Sequence, residues 1–300
     1  MGSLQVVSTE PFAGKTTAVM AIGKGLAQAG SRVRLVRAGS GAAADADAAT
    51  FAEVLFAGTP GRAVDISEMP APAAGETVIV ELDAGAPPTS ATAIIAVRGT
   101  PSNDDKALAK ELGARLIGTI AIAVAPNAIE AVARELTNGG FRPLALIPED
   151  RLLAAPSVGE LRDALGARVL FAGENENDTV EDVLIAPVYA DPARPHFRRF
   201  ASKAILAPFN KTDLHIAAIE TEAACLVITG GRDPSPYVVD RAQHGNTTVL
   251  LVPQETPQTV ASLSEVWFTS RFRGERKAAI AAGHLQGRLD FAALARKIEA

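Results

Sequence analysis

Apolar residues in this chain form short β-branched runs that alternate with segments of helical spacing. The strand-length runs of the first half are LQVVS, RVRLVRA, TVIVELD, TAIIAVRG, LIGTIAIAV and RPLALIP. A helix is predicted from about Lys15 to Ala29. Helical patterns at 102–114 and 127–140 have Ser102 or Asn103, and Asn127, as their expected N-caps. Strands that alternate with helices are typical of a parallel sheet covered on both faces.

The pattern changes at the acidic stretch AGENENDTVED, which we interpret as a linker. Beyond it, SKAILAPF, ACLVITGG and TTVLLVP have the pattern of strands, and TDLHIAAIETEA, PSPYVVDRAQHG, TPQTVASLSEV and DFAALARKIEA that of helices. The predicted fold class is therefore α/β. We expect a parallel-sheet domain at 1–173, a linker at 174–181 and a smaller α/β domain at 182–300.

The stretch STEPFAGKTT lies between the first strand and the first long helix, which is the setting of a phosphate-binding loop. In such a loop Gly14 lets the backbone approach a phosphate, Lys15 supplies charge, Thr16 is placed for Mg²⁺ and Thr17 approaches the α-phosphate. The standard pattern has glycine where this chain has Thr9, which fits only if its φ is negative. The alternative is a surface turn between strand and helix.

A phosphate loop needs a carboxylate to order the shell of Mg²⁺. Glu81 and Asp83 follow the apolar strand TVIVELD, at the edge where ligands of open α/β sheets bind. The alternative is that one of them caps the following loop. Arg37 ends the second strand on the same edge, and it pairs either with phosphate or with Glu81 or Asp83.

The residues expected to contact the nucleotide are Thr9, Glu10, Ala13, Gly14, Lys15, Thr16, Thr17 and Arg37. The residues expected to hold Mg²⁺ are Thr16, Glu81 and Asp83.

Composition narrows the classes of function. The net charge is -5 and Lys and Arg are dispersed, which argues against a nucleic-acid partner. The one cysteine, Cys225, excludes an internal disulfide and a cysteine-rich metal site. The N-terminus lacks the pattern of a signal peptide, and no apolar run approaches the ~20 residues of a membrane span. We expect a cytoplasmic protein with no membrane partner.

The order of these motifs resembles a known arrangement. The segments STEPFAGKTT, LVRAGSG, VIVELDAG, LIGTIAIAV and LALIPEDRLLAAPSVGELRDALGARVL resemble the dethiobiotin-synthetase-like P-loop domain at the N-terminus of long phosphate acetyltransferases. The segments TVEDVLIAPV, AILAPFNKTDLHIAAIETEAACLVITGGRDPSPYVV and TTVLLVPQETPQTV are similar to the DRTGG domain that follows it there. The resemblance covers Leu4 to about Val266. It implies a P-loop NTPase fold followed by a regulatory or dimerising DRTGG-like module.

The resemblance also implies roles for individual residues. Lys15 and Thr16 would bind phosphate and Mg²⁺, Glu81 would take the carboxylate position, and Arg37 stands where dethiobiotin synthetases have lysine. The asparagine with which family members read adenine falls at Ile122, so the selectivity for the base stays open.

The sequence departs from this arrangement at two further points. The usual Gly-Asp-Arg of the DRTGG signature is replaced by Phe209, Asn210 and Lys211. The acetyltransferase catalytic domain has no counterpart in the sequence, so we expect no phosphate acetyltransferase activity.

Three hypotheses about function follow. The first is a regulatory or sensor protein that binds ATP with Mg²⁺ and hydrolyses it weakly or not at all. The second is an ATP-dependent ligase or synthetase similar to dethiobiotin synthetase. The third is a degenerate scaffold that only oligomerises. In the first hypothesis the partners are a nucleotide and other copies of the chain, held through the second domain.

Self-association is also suggested by an aromatic and arginine-rich segment. Tyr189, Phe197 and Phe200 lie among several arginines, and both residue types are enriched in interfaces. The alternative is that these rings pack inside the second domain.

A second candidate anion site lies at Gly230 and Gly231, where a strand ends shortly before a helix that starts near Ser235. Successive backbone N–H groups there would form an anion nest. The alternative is that the glycines serve only a tight turn.

Overall fold

The computed structural model describes residues 2–54, 59–186 and 189–299. The chain divides into two units, Met1–Leu153 together with Phe272–Ala300, and Ala154–Arg271. Each unit is an α/β fold with its own sheet, so the predicted class is confirmed. None of the helices in the described ranges is long and apolar enough to cross a membrane.

The first unit is built mainly from the first half of the chain. Its elements up to residue 154 are β1 (Gly2–Val7), α1 (Lys15–Gln28), β2 (Arg32–Arg37), α2 (Ala42–Val54), β3 (Glu76–Glu81), β4 (Thr92–Arg98), α3 (Asn103–Leu112), β5 (Leu116–Val124), α4 (Ile129–Asn138), β6 (Pro143–Pro148) and α5 (Arg151–Ala154). All six predicted strands are present within about two residues of their expected bounds, because each is rich in apolar residues that are buried in the sheet.

The six strands form one parallel sheet in the order β2-β3-β1-β4-β5-β6. Alternate residues of each strand enter different apolar cores, as Val6 and Val7 of β1 do. One core is closed by α1 and α2, and the other by α3 and α4. The sheet is therefore covered on both faces, as the alternating pattern predicts.

Two of the expected helix caps have different outcomes. Ser102 caps α3 in a capping box, in which its hydroxyl accepts from the N–H of Asp105 and the Asp105 carboxylate accepts from the N–H of Ser102. Asn127 does not cap α4. It lies in a 3₁₀ turn, and Ala128 is the N-cap without a side-chain hydrogen bond.

The second unit contains the later part of the chain. Its elements are α6 (Val158–Leu165), β7 (Arg168–Phe171), β8 (Asp182–Ile185), α7 (Ala190–Phe197), β9 (Lys203–Pro208), α8 (Thr212–Glu220), β10 (Cys225–Thr229), α9 (Pro236–Gly245), β11 (Thr248–Leu251), α10 (Thr256–Ser264) and α11 (Val266–Thr269). Its sheet has the order β7-β11-β10-β9-β8, and only β7 runs antiparallel to its neighbour.

The division into units differs from the predicted one at 173/174. Residues 154–173 belong to the second unit, because α6 enters one of its cores and β7 pairs with β11. The acidic stretch is not a free linker either. Asn175 is buried, accepts from Thr248 at 2.6 Å and donates to the carbonyl of Ala224 at 2.6 Å. Its polar composition reflects a hydrogen-bonded loop.

The last residues return to the first unit, as the two helices α12 (Gly274–Leu285) and α13 (Phe291–Glu299). Helix α12 packs along α1, and α13 packs on α1 and β1. Gly25 lets α13 approach closely, because a Cβ there would lie 2.1 Å from the ring of Phe291 and would displace it. The predicted helix at the end of the chain exists, but it covers the first sheet.

This return predicts that truncating the buried Leu285 destabilises the first unit. Leu285 is 0% exposed in the core beside α1. Leu285→Ala should lower the free energy of unfolding by about 2–5 kcal/mol, since it leaves a cavity as well as losing burial. Urea unfolding measures it, with Ile66→Ala as the control because Ile66 is 39% exposed. Equal small effects of both substitutions would contradict the placement of α12.

Candidate functional site

The candidate site is built where β1, β2 and β3 end. In the register of these parallel strands, Glu81 of β3 lies opposite Val6 of β1 on one side and Arg37 of β2 on the other. The loop 8–14 leaves β1 at this same edge and leads into α1. The topology therefore brings together the loop, Arg37 and the two carboxylates, Glu81 and Asp83, as the sequence predicts.

The start of α1 exposes backbone donors. Among the described residues, the N–H groups of Gly14, Lys15, Thr16 and Thr17 find no acceptor, and Gly14 has no side chain that could cap the helix. A helix N-terminus leaves such groups unsatisfied and carries about half a positive charge. This is the arrangement that favours an anion.

Gly14 is required at this turn for two reasons. Its φ is +84°, a left-handed value that disfavours side chains, and a Cβ built there would lie 2.8 Å from the side chain of Ile122. Ile122 therefore packs against the loop itself and is 7% exposed. Phe12, also in the loop, has a φ of +56° and is 56% exposed.

Lys15 is held close to the loop. Its Nζ donates to the Ser8 hydroxyl at 2.8 Å, and the Ser8 hydroxyl donates to the carbonyl of Glu10 at 2.7 Å. Burial lowers the pKa of Lys15 below its ordinary value, and Glu81 opposes that shift. Sequence reasoning missed Ser8, although its position directly after β1 is a signal that a hydroxyl stands at the ligand edge.

Glu81 is the most constrained group of the site. Thr16 donates from its hydroxyl to Oε1 at 3.0 Å, while Oε2 is buried without a hydrogen-bond partner among the described residues. Burial raises the pKa of Glu81 to about 7, although Arg37 opposes the shift. A buried carboxylate oxygen with no donor is costly unless a cation or a proton completes it.

Arg37 pairs with carboxylates. Its Nη2 donates to Asp83 at 2.5 Å, and its Nε lies 3.4 Å from Asp47 and 3.7 Å from Glu81. Of the two alternatives for Arg37, the contacts favour pairing with Glu81 and Asp83 over a free role toward phosphate. Asp47, on α2, is a member of this cluster that sequence reasoning missed, because its helix was not predicted.

The other predicted contact residues are spread along the loop. Thr9 does not have a positive φ, so its replacement of glycine is free of that strain. Its hydroxyl donates to Asp105 of α3 at 2.8 Å, which ties the loop to that helix. Glu10 is exposed, Ala13 is buried and Thr17 is half-buried.

The donor set was compared with the needs of Mg²⁺. Within the described residues, no group of three or more His, Cys, Asp or Glu side chains is arranged to hold a metal. Mg²⁺ needs fewer, because it keeps several waters and takes one or two carboxylates together with substrate phosphates. The Thr16 hydroxyl and the free Oε2 of Glu81 fit that requirement, whereas Asp83 is engaged by Arg37.

A cavity of about 520 Å³ adjoins the loop. It is lined by Ser8, Thr9, Gly85, Ala86, Pro87, Pro88, Asp104, Ala107, Leu108 and Glu111. Its volume lies within the usual range of ligand pockets, ~300–1,000 Å³. Because the sequence has few polar residues at the strand ends, it did not indicate a pocket there. Helix α3, and not the strand ends, supplies much of the wall of this cavity.

The second candidate anion site is not available as predicted. Gly230 and Gly231 have left-handed φ values of +94° and +65°, but their N–H groups donate to the carbonyls of Gln254 and Val252. The glycines therefore serve the turn, which is the alternative reading of that motif.

The raised pKa of Glu81 predicts a pH dependence of stability in the absence of ligand. The folded protein keeps the proton up to about pH 7, whereas the ordinary carboxyl pKa is 4.5. The free energy of unfolding should therefore fall as pH rises through that window, by up to about 3 kcal/mol. Glu81→Gln should remove this fall, measured by chemical unfolding with a chelator present.

Glu76, at the other end of β3, provides a control of opposite sign. The hydrogen bond from Arg34 lowers the pKa of Glu76 in the folded protein. The contribution of Glu76 to the free energy of unfolding is therefore present above the pKa of the unfolded state and is lost as pH falls. A Glu81→Gln profile parallel to the wild type between pH 4.5 and 7 would show that Glu81 ionises normally.

One match to a known family lies in the second unit. Residues 160–266 match the family model of the DRTGG domain. One solved structure that matches is described as the CBS and DRTGG domains of the regulatory region of Clostridium perfringens pyrophosphatase, complexed with an activator, diadenosine tetraphosphate. The match has 21% identity and a TM-score of 0.31, and it covers 38% of this chain and 49%, about half, of that chain. Residues 160–266, which lie within the second unit, are a DRTGG domain.

Proposed function

We propose that the chain is a nucleotide-binding regulatory protein. Its first unit would bind a nucleoside triphosphate with Mg²⁺, and its DRTGG domain would take part in the response. The observation that carries the proposal is the pairing of free N–H groups at Gly14–Thr17 with the partnerless Oε2 of Glu81. The N–H groups suit an anion, and the carboxylate oxygen of Glu81 suits a cation. A nucleotide–Mg²⁺ complex supplies both.

Charge at the site supports the same ligand. Lys15 and the N-terminus of α1 supply positive charge, and Thr16 lies between the loop and Glu81. Lys15 is held by Ser8, a neutral partner, so its charge is not neutralised by a direct ion pair. A triphosphate would gain charge-assisted hydrogen bonds here without breaking a salt bridge.

The regulatory part of the proposal rests on two arguments. The DRTGG-like module is implied, by the resemblance described above, to be regulatory or dimerising. Rapid hydrolysis also requires charge that stabilises the transition state and an oriented water. Arg37, the second cation near the loop, is already paired with carboxylates. We therefore expect turnover well below the ~1–100 per second of kinases.

A second candidate function is an ATP-dependent ligase or synthetase. The cavity of about 520 Å³ favours it, because Ser8 and Thr9 line this space and Ser8 also holds Lys15. A co-substrate bound there would lie beside the loop. Turnover of ATP at rates usual for kinases when a small-molecule substrate is added would favour this enzyme over the regulatory protein.

The first test is the affinity for ATP–Mg²⁺ by calorimetry. Lys15→Ala removes the buried ammonium of the loop and should weaken binding by tenfold or more, about 1.4 kcal/mol or above. Lys24→Ala is the control, because Lys24 lies further along α1 and pairs with Glu275. ADP and GTP titrations report the selectivity for the base. Unchanged affinity in Lys15→Ala would place the site elsewhere, and absence of binding would favour the scaffold hypothesis.

Self-association through the second unit is also part of the proposal. The residues proposed for the interface differ in part from those that the sequence suggested. Phe197 is fully buried and Phe200 packs on the same core, so both follow the alternative of packing inside the domain. Tyr189 is 69% exposed, and Ile185 is 55% exposed at the end of the edge strand β8. Exposed apolar side chains beside an edge strand are suited to an interface.

Light scattering of the full chain at micromolar concentration should give at least the mass of a dimer. The double variant Ile185→Glu, Tyr189→Ser should have a lower measured mass, closer to that of the monomer, because a charge placed in an apolar contact is unfavourable. The control pair is Val169→Glu with Tyr237→Ser, at positions 39% and 56% exposed in the same unit. A monomeric wild type, or equal effects of both pairs, would exclude this surface.

A further inference from the structure

A second cavity of the first unit lies at the opposite edge of the sheet from the loop. Its volume is about 390 Å³, and it is lined by Lys106, Ala109, Lys110, Gly113, Leu116, Gly118, Gly139, Gly140, Phe141 and Arg142. Leu116 begins β5, whereas Ile122 near the end of β5 packs against Gly14. At ~3.3 Å per residue the two places are separated by about 20 Å along the strand. The cavity is therefore distinct from the nucleotide site.

All the charged side chains that line this cavity are positive. Lys106 and Lys110 project from α3 and Arg142 comes just before β6. In the part of the chain that the structure describes, none of these three side chains forms an ion pair or a hydrogen bond. Three like charges around one space repel one another, and no carboxylate of the lining relieves that repulsion.

The distribution of charge on α3 is not that of an ordinary solvated helix. Asp104 and Glu111 of this helix line the other cavity, beside the loop. Asp105 is engaged by Ser102 and Thr9. None of these acids stands three or four residues from Lys106 or Lys110, the spacing at which ion pairs form on a helix, so neither lysine is neutralised along α3.

Basic residues near helix C-termini often serve to complement the negative end of the helix dipole. Both α3 and α4 end at this cavity, at Gly113 and Gly139, and each C-terminus carries about half a negative charge. Two such ends offset about one of the three positive charges. About two positive charges remain, beside an apolar wall that includes Leu116 and Phe141. Complementing the helix dipoles does not account for all three cations.

We propose that this cavity binds a small molecule with two or more negative charges, through Lys106, Lys110 and Arg142. Lys supplies point charges, and the planar guanidinium of Arg142 suits bidentate contact with a phosphate or a carboxylate. The volume fits a small metabolite. A phosphorylated compound and a polycarboxylate share this chemistry, and two probes separate them. The proposal does not depend on nucleotide binding at Lys15.

The experiment uses the full chain with Lys15→Ala, so that a phosphate probe does not occupy the loop. Inorganic pyrophosphate and citrate are titrated separately by calorimetry at about 0.1 M ionic strength, where the Debye length is about 10 Å. We expect pyrophosphate, citrate or both to bind with one site per chain. Replacing Lys106, Lys110 and Arg142 together by Gln should weaken that binding by about tenfold or more. The probe that binds tells whether the ligand class is phosphorylated, carboxylated or both.

A matched control separates a built site from general attraction to positive charge. Arg62, Arg134 and Arg296 are also exposed cations of the first unit, and their side chains have no partner among the described residues. Their joint replacement by Gln changes the net charge equally and should leave the affinity within about threefold, because screened distant charges contribute little. Failure of both probes to bind, or equal losses in the two triple variants, would overturn the proposal. Circular dichroism of each variant verifies that the fold is retained.

Discussion

The arrangement of the first unit depends on one buried carboxylate. Glu81 lies at the end of a strand that has a neighbour on each side, so its backbone position is set by the pairing of three strands. Its side chain is 4% exposed, and burial of an anion there is opposed by the loss of hydration. The groups around it are explained by that cost. Thr16 donates to one oxygen, and Arg37 and Lys15 supply opposite charge. A proton or a cation is needed for the other oxygen.

The same constraint explains why Arg37 is not a simple phosphate ligand. Placed beside a buried carboxylate, a guanidinium is stabilised by staying with it, and it gains further bonds to Asp83 and the carbonyl of Ala38. Asp47 approaches it from α2. With three carboxylates around it, moving Arg37 to a ligand would leave buried negative charge uncompensated, which is costly. Lys15, held only by a hydroxyl, lacks that constraint. The two cations at the loop therefore differ in how freely each could serve a ligand.

Much of this could be predicted from the sequence, because the signals are local. The strands are rich in apolar residues, and GKT lies between the first strand and the first helix. Gly14, Lys15, Thr16, Glu81 and Arg37 could therefore be placed at one edge of the sheet. The unit boundaries could not be predicted in this way. The amphipathic pattern of 291–299 predicts a helix but does not reveal which sheet it covers. Phe197 was misjudged because an aromatic residue among arginines has the same local pattern whether it is exposed or fully buried. Both outcomes depend on contacts distant in the sequence.

The faces of helix α3 line two different cavities. Its first turn is fixed by the capping box of Ser102 and by the hydrogen bond from Thr9, so it is tied to the loop that precedes Lys15. Asp104 and Glu111 line one cavity, and Lys106 and Lys110 line another. A helix of ten residues is about 15 Å long, so one short element connects these contacts. A shift of α3 at the basic cavity would therefore strain the hydrogen bond between Thr9 and Asp105, because Asp105 belongs to the same helix and directly precedes Lys106.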